Sequence, residues 1–422
     1  MRLPDPVELS DLLEPFSQRG IDLALGRLEA ALAEAGHPER QFAAVQVAGS
    51  NGKGSICTFL GAILQAAGVR NAIYRSPHLV SWCERLELNG EWITGPELRR
   101  AVGRWRQLGE RHQLTPFELL TGAAFSHCAD AAIELAVLEV GLGGRLDATS
   151  THPDRQVLGI ASIGLDHCEH LGSSLAAIAA EKAGVFQPGA LAISGPQQPE
   201  VAAVLAREAQ ARGTQLRWVE PLGSDQPLGL AGQWQRTNGA VARAMAEALR
   251  GQGWAIPAQA IDQGLAAARW PGRLERCRWR GQELLIDGAH NPPAAVALRQ
   301  ELDQMASNSN SNSNSSKGAP GRRRWLLGIQ RHKQAPEMLA SLLGPADQAW
   351  IMAIPGHPSW GAAELAAAMP ALAGQLSPVQ SLAEGLAQLM APEGRPLAPP
   401  LVAGSLYLLG ALQPLLDCPD GG

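Results

Sequence analysis

Short aliphatic runs that stop at glycine and give way to helical spacing recur along this chain, and that alternation constrains the fold more than any other feature. AAVQVAG (43–49) leads into a glycine loop, after which SICTFLGAILQAAG repeats apolar residues at helical intervals. LAVLEVGLGG ends a second run in glycines, QVLGIASIGLDH is a third, followed by the alanine-rich helical pattern SLAAIAAEKAGVF, and ALAIS is a fourth. A later series, ELLIDGAHNPPAAVALRQEL, RRWLLGIQ, QAWIMAIPG and PLVAGSLYLLGAL, repeats the scheme. Strands alternating with helices predict a parallel, doubly wound α/β sheet, whose functional loops lie at the C-terminal ends of the strands. Two series predict two domains. Between them RWPGRLE (269–275) carries a proline–glycine break, which puts the boundary near Pro271–Gly272, with domains at 1–272 and 273–422. The polar run SNSNSNSNSS and the KGAPGRRR after it cannot build a core, so residues 306–324 are expected to be a flexible surface insertion.

Composition narrows the function. With 45% hydrophobic and 18% charged residues the chain can bury sizeable cores, and its formal charge of −5 makes nucleic acid a poor partner. The six cysteines are scattered without a C-x-x-C pair, which argues against a disulfide framework or zinc ribbon and suits a reducing compartment. The first residues, MRLPDPVELSDLLEPF, lack the basic start and apolar core of a signal peptide, and no run has membrane-span density. A cytoplasmic protein without membrane contact is expected, and a monomer by default.

The loop GSNGKGS (49–55) has Lys53 after Gly52 as in a phosphate loop, yet Val47 stands where the first glycine belongs and Gly54 separates Lys53 from Ser55. Its glycines let the backbone approach an anion, and a helix start and a lysine add positive charge; an ordinary glycine turn is the competing reading. In SPHLVSWCERLELNGEWIT (76–94), Ser76 and His78 read as a substrate loop or simply as a turn into a strand. Glu139 sits inside an apolar strand, where a carboxylate needs a partner; magnesium with phosphates explains it, and so does a salt bridge to Arg145. In IGLDHCEH (163–170), Asp166, His167 and His170 follow another strand; zinc, one histidine in a magnesium shell, and a plain loop are all open. Glu181–Lys182 reads by periodicity as a solvated helical pair. Asp287, His290 and Asn291 in IDGAHNPPAA could serve a nucleotide or merely cap the next helix.

The order of these motifs is more specific than any one of them. GSNGKGS, SPHLVSWCERL, TPFELLT, VLEVGLGGRLDATS, SIGLDHCEHLG, EKAGVF, PGRLE, DGAHNP and GSLYLLG form one series. It closely resembles the dihydrofolate synthase/folylpolyglutamate synthase family of Mur-ligase-like amide ligases, from IDLALGRLE to about residue 412. The G-x-x-G-K-G-S spacing is that family's own. The resemblance implies an N-terminal P-loop-type Mur-ligase ATPase domain, a smaller C-terminal Rossmann-like domain, and an active site between them. It places ATP contacts on Gly52, Lys53, Gly54, Ser55, Asn238, Arg273 and Asp287. It places magnesium, two ions in all, with Ser76, Glu139 and His167 as ligands. It places the pterin-bearing substrate near Asp22, Leu23, Ala24 and Leu25, near Thr115, Pro116, Phe117 and Glu118, and near Leu146, Asp147 and Ala148. Lys182 matches a lysine that is carbamylated in related ligases. LLGIQRHKQAPEML departs from the D-K-D sequence of many relatives, keeping Lys333 without the acids.

The reaction so implied is ATP-dependent amide formation: the acceptor carboxylate becomes an acyl phosphate that the amine of L-glutamate attacks, with Lys53, Lys182 and His290 assisting. Dihydropteroate and reduced folates are the expected acceptors. A peptidoglycan-precursor ligase is disfavoured by the absent UDP-sugar domain and by the SPHL and TPFE segments. A nucleotide switch without catalysis is disfavoured by the presence of Glu139, His167 and Lys182.

Overall fold

A computed structural model describes residues 3–14, 22, 24–311, 322–391 and 399–417. The chain divides into two compact units: Arg2–Leu230 with Trp234–Arg269, and Trp270–Gly422 with the short segment Ala231–Gln233.

The larger unit is built on an eight-stranded sheet. Its strands are β1 (Ala43–Ala48), β2 (Asn71–Tyr74), β3 (Leu86–Leu88), β4 (Glu91–Trp92), β5 (Leu135–Glu139), β6 (Val157–Ile160), β7 (Leu191–Ser194) and β8 (Gln215–Trp218), in spatial order β4-β3-β2-β5-β1-β6-β7-β8. All neighbours are parallel except β2–β3 and β3–β4, which form an antiparallel edge. The central strands are buried along nearly their whole length because helices cover both faces, which is why they read as continuous aliphatic runs. On one face, helices Gly95–His112 and Pro116–Asp130 bring Leu98, Val102, Trp105, Leu120 and Phe125 into a core with Tyr74 and Leu138. Further along the same face, where Leu158 is in register with Gln46 and so with Leu138, Leu175–Ala183 and Pro199–Arg212 contribute Ile178, Val201 and Leu205 against Leu158 and Ile160. Helices Lys53–Ala66 and Trp234–Gly251 cover the other face, Gly61 against Ile73 and Met245 against Gly159. Each such aliphatic or aromatic side chain contributes about 1.5–3 kcal/mol by leaving water. The chain leaves β1 toward β2, returns through β5, and then crosses to β6 on β1's other side. That reversal makes the C-terminal end of β1 the switch point of the sheet, the position where such folds hold ligands.

The smaller unit carries six strands, β9 (Glu275–Trp279), β10 (Gln282–Ile286), β11 (Arg324–Leu327), β12 (Gln348–Ile351), β13 (Leu376–Pro378) and β14 (Leu401–Ala403), ordered β13-β12-β11-β14-β10-β9. Only the β9–β10 hairpin is antiparallel. Trp325, Leu326, Leu339, Leu386, Val402 and Leu408 are fully buried in its core.

Two expectations need correction here. Helix Pro292–Ser311 runs into the Ser/Asn repeat and Arg324 opens β11, so residues 306–311 are helical and the rest of the expected insertion, 312–321, lies outside the described residues. Cys57, Cys83, Cys128 and Cys168 are free thiols, whereas Cys277 is disulfide-bonded, which the expectation of a reducing compartment did not foresee. Among the described residues no helix is long and apolar enough to cross a membrane.

Candidate active site

The loop after β1 is shaped by contacts that exclude side chains. Gly49 (φ 141°) would push a Cβ to 2.6 Å from that of Ala161, and Gly52 (φ 99°) would place one 2.4 Å from Asn238 Oδ1. Ser50 N and Asn51 N both donate to Ser162 O (2.8 and 3.1 Å), and Ser50 Oγ donates to Gly164 O (2.8 Å), so the loop is laced to the turn after β6. Gly52 is the N-cap of helix Lys53–Ala66, whose first N–H groups have no intrahelical partner. Lys53 Nζ folds back to donate to Ser50 O at 3.2 Å. A glycine-lined cradle, a helix start and an ammonium together make an anion site.

Lys182 reaches the same loop from helix Leu175–Ala183. It is 4% exposed, and its Nζ donates to Gly49 O at 2.8 Å. Burial first, and then repulsion from Lys53, lower its pKa to about 7, with Asp166 and Asp147 opposing. The periodicity reading of Glu181–Lys182 as a solvated pair is therefore overturned: Lys182 is buried, and Glu181 accepts from Arg145 Nη2 at 2.9 Å. That ion pair also gives Arg145 a partner other than Glu139.

Glu139 ends β5 beside Val47 of β1, is 6% exposed, and accepts from Ser76 N at 3.3 Å. A buried carboxylate next to a serine, at the mouth of a phosphate cradle, is the hard-oxygen donor set that suits a divalent cation shared with phosphates. His167 adopts a left-handed conformation (φ 52°) at the start of a short helix, with ring nitrogens 3.8 Å from Asp166 and from Glu169. Among the described residues no group of three His, Cys, Asp or Glu side chains is arranged to hold a metal. His78 accepts from Arg85 Nε through Nδ1 (3.0 Å), and burial together with Arg85 drives its pKa down to about 3, leaving a neutral ring with its proton on Nε2.

The three sequence-predicted substrate segments have clear local roles. Thr115 N-caps helix Pro116–Asp130 in a capping box with Glu118, which also pairs with Arg27, itself 2.6 Å from Asp22. Segments 22–25 and 115–118 are thus linked by one chain of ion pairs; Leu23 lies outside the described residues, while Ala24 and Leu25 lead into helix Gly26–Glu34. Pro116 is buried, and the half-exposed Phe117 ring lies where a Cβ on Gly141 would meet it at 2.7 Å. Leu146 is partly exposed and Ala148 buried. Asp147 is buried, and its carboxylate accepts from Gly141 N, Leu142 N and Thr149 N (each 3.0 Å) and from Thr149 Oγ1 (2.5 Å). Burial raises its pKa against those hydrogen bonds. Its side chain is spent on holding the glycine loop that follows Glu139.

In the smaller unit, Asp287 joins two motifs. Its oxygens accept from Leu274 N and Ala289 N (both 2.8 Å), and burial raises its pKa while Arg273 opposes. It does not cap the next helix; Asn291 does, accepting from Ala294 N at 3.0 Å. His290 donates from Nδ1 to Gly288 O at 2.8 Å.

Sequence reasoning missed two buried amides. Gln235 Nε2 donates to Ser55 Oγ (3.2 Å), and its Oε1 accepts from Asn238 Nδ2 (2.9 Å). Gln46, in the middle of β1, donates to Thr149 Oγ1 (2.7 Å) and Ser150 Oγ (3.0 Å) and accepts from Arg155. Three residues from Asn238, Gln235 shares its helix face, and that spacing was the available signal. A cleft of about 670 Å³ lined by Arg40, Arg70, His152 and Trp254 lies at the opposite, N-terminal ends of the strands and has no part in this site.

Residues 273–416 match the profile of the dihydrofolate synthetase C-terminal domain. The dihydrofolate synthase/folylpolyglutamate synthase of Bacillus subtilis is 32% identical over 321 residues, covering 69% of this chain and 74% of that protein. The chain belongs to the dihydrofolate synthase/folylpolyglutamate synthase family. Solved structures agree: that of Mycobacterium tuberculosis folylpolyglutamate synthase, complexed with ADP and AMPPCP, superposes with a TM-score of 0.81 at 28% identity, covering 93% of this chain and 95% of that one. The Yersinia pestis bifunctional enzyme, complexed with AMPPNP and a manganese ion, gives 0.79 at 27% identity over 98% and 99%. The fold is accordingly a Mur-ligase-like ATPase unit and a Rossmann-like unit. The protein is an ATP-dependent, glutamate-adding acid–amino-acid ligase of the family's type.

Proposed function

We propose that this ligase adds L-glutamate to 7,8-dihydropteroate, forming dihydrofolate, and to reduced folates, forming polyglutamates. The observation that carries the reading is the loop after β1: Lys53 and buried Lys182 both donate to its carbonyls, at Ser50 O and Gly49 O, where it turns into the start of a helix, and Glu139 accepts from Ser76 N on the neighbouring strand end. The bifunctional names of the Bacillus subtilis and Yersinia pestis relatives support both acceptors.

In this reading ATP lies on Gly52, Lys53, Gly54 and Ser55 with Asn238 beside them, and Arg273 and Asp287 serve it from the second unit. The γ-phosphoryl group passes to the acceptor carboxylate, breaking its bond to ADP and giving an acyl phosphate. The glutamate amine attacks the carbonyl carbon, the C–O bond to phosphate breaks, and the amine gives up a proton as the amide forms. No enzyme nucleophile is needed; catalysis is positioning and charge stabilisation. Lys53 neutralises the transferring phosphoryl oxygens, and His290, whose Nδ1 donates to Gly288 O, orients the phosphate or the incoming glutamate. Glu139, Ser76 and His167 would hold a magnesium ion, which supplies charge neutralisation to the phosphates when bound. A carbamate on Lys182 would supply an anion to a second ion. Asp22–Leu25, Thr115–Glu118 and Leu146–Ala148 line the pterin site, Asp147 by fixing its loop. Residence in the cytoplasm as a monomer completes the proposal.

Mass spectrometry of products tests it, with ATP, magnesium and glutamate present and 7,8-dihydropteroate or tetrahydrofolate in separate tubes. Gain of one glutamate in the first and of one or more in the second is expected; silence in both would sink the acceptor assignment. Lys53→Ala should remove turnover in both while the melting temperature stays unchanged.

A further inference from the structure

Gln46 lies fully buried in the middle of β1 and belongs to none of the motifs that resemble the family. Its hydrogen bonds can run only one way. Arg155 Nη1 can only donate, and it donates to Gln46 Oε1, so the two protons of Gln46 Nε2 go to Thr149 Oγ1 (2.7 Å) and Ser150 Oγ (3.0 Å). Each hydroxyl then passes its own proton on, Ser150 to Gly144 O at 2.7 Å and Thr149 to Asp147 Oδ1 at 2.5 Å. The far ends are as fixed as the near one. Gly144 O can only accept, and the N–H groups of Gly141, Leu142 and Thr149 can only donate to Asp147. Turning the Gln46 amide over would set Nε2 against Arg155, donor against donor, at a buried position. Arg155 is itself anchored, its Nε donating to His152 O at 2.7 Å. One amide therefore governs both ends of the glycine loop: Gly141 and Leu142 through Asp147, and Gly144 through Ser150.

The neighbours of this loop give the network its consequence. The loop starts directly after Glu139; a Cβ on Gly141 would lie 2.7 Å from the Phe117 ring, and one on Gly144 would lie 2.9 Å from Lys182 O. Contacts this close leave the loop little room to shift. We propose that Gln46 and Arg155 are positioning residues for the acceptor. They set the direction of the side-chain hydrogen bonds that hold the loop from Gly141 to Ala148, and so hold that loop against Phe117. The inference rests on the reading of segments 115–118 and 146–148 as the site of the pterin-bearing substrate.

The test uses the full-length enzyme and the glutamate-adding assay, with the acceptor that the wild type extends, 7,8-dihydropteroate or tetrahydrofolate. Gln46→Glu keeps the size of the side chain and its bond with Arg155, but has no proton for Thr149 or Ser150. Both hydroxyls then donate to the new carboxylate, and Asp147 and Gly144 O each lose a donor. KM for the acceptor should rise by about tenfold or more while KM for ATP moves far less. Adding Asp147→Asn gives Thr149 a donor from the other side, so the double variant should raise the acceptor KM by less than the product of the two single changes. Full multiplication of the two changes overturns the relay. A role confined to stability would lower the folded fraction, reducing kcat and leaving both KM values unchanged. That result overturns the proposal, as does an equal rise in both. If Gln46→Glu does not fold, Thr149→Val cuts the same relay at its middle joint and is read in the same way. Asp147→Asn alone separates the proposal from its premise. An acceptor KM unmoved there as well removes the loop from the acceptor site. A rise there without one in Gln46→Glu refutes the role of Gln46 and Arg155 alone.

Discussion

The most consequential single residue is Lys182, whose ammonium is stripped of water and faces the charge of Lys53. Its pKa falls from the ordinary 10.5 to about 7, so between those values the unfolded chain holds a proton that the folded one does not. Stability contributed by this group therefore rises with pH across about 7 to 10.5, and the full penalty of burying the cation applies below 7. Urea unfolding of wild type and Lys182→Met should show the variant gaining most at pH 6 and the gap closing as pH approaches 10. A gap that does not change with pH would show that the lysine stays protonated in the fold. The same neutral amine near pH 7 is the form that adds carbon dioxide, losing one proton to give a carbamate. Carbon-13 bicarbonate should yield a carbamate signal by NMR in wild type that is absent in Lys182→Met. A signal equal in both would remove carbamylation at this position. None of this was legible from spacing: alanine neighbours gave no hint of burial, and only the resemblance singled out the residue.

At the scale of elements, the loop that follows β5 is held by side chains from inside itself. Asp147 gathers three backbone N–H groups and one hydroxyl, and Gln46 fastens the far side of the turn from β1. An amide at 147 turns one acceptor into a donor facing N–H groups, so Asp147→Asn should cost about 1–3 kcal/mol in urea unfolding. It should also raise KM for the acceptor more than for ATP, because the displaced loop carries Leu146 and Ala148. Equal KM changes would place the loop outside the acceptor site. Thr115→Ala removes a capping-box oxygen and should cost about 1 kcal/mol by the same measurement. The aliphatic strands β1, β5, β6 and β7 were legible because burial on both faces leaves only apolar residues, and the later strands β10, β11, β12 and β14 for the same reason. The edges were not: β8 reads QLRW and is mostly exposed, β9 reads ERCRW, and neither has the run or alternation that marks a strand. Helix Gly95–His112 escaped notice although Thr94 and Glu97 supply a capping box before it. Within the site, the glycine loop was legible because its constraint is local, whereas the partner of Arg145 and the role of Asp147 depend on which helix or loop the fold brings alongside.

For the molecule as a whole, the division of labour follows from the division of the chain. The phosphate loop, Asn238, Glu139, Ser76 and Lys182 all belong to the unit of Arg2–Leu230 and Trp234–Arg269, whereas Arg273, Asp287 and His290 belong to the other. Each unit has its own sheet and buried core, so each is expected to melt as its own cooperative block. A ligand that binds one native block and not its unfolded form raises that block's stability by mass action, about 2.7 kcal/mol at a hundred times its Kd. Scanning calorimetry should therefore resolve two transitions. Titration with magnesium and a non-hydrolysable ATP analogue should raise the transition of the larger unit at concentrations that also saturate binding, and Lys53→Ala should abolish that rise without altering either transition in the absence of ligand. The transition assigned to the smaller unit should follow only to the extent that Arg273 and Asp287 engage the same nucleotide, and Arg273→Ala should remove that part alone. A single transition that the nucleotide raises as one would show instead that the two cores unfold together. A ligand-dependent rise confined to the smaller unit would contradict the placement of ATP on the loop after β1.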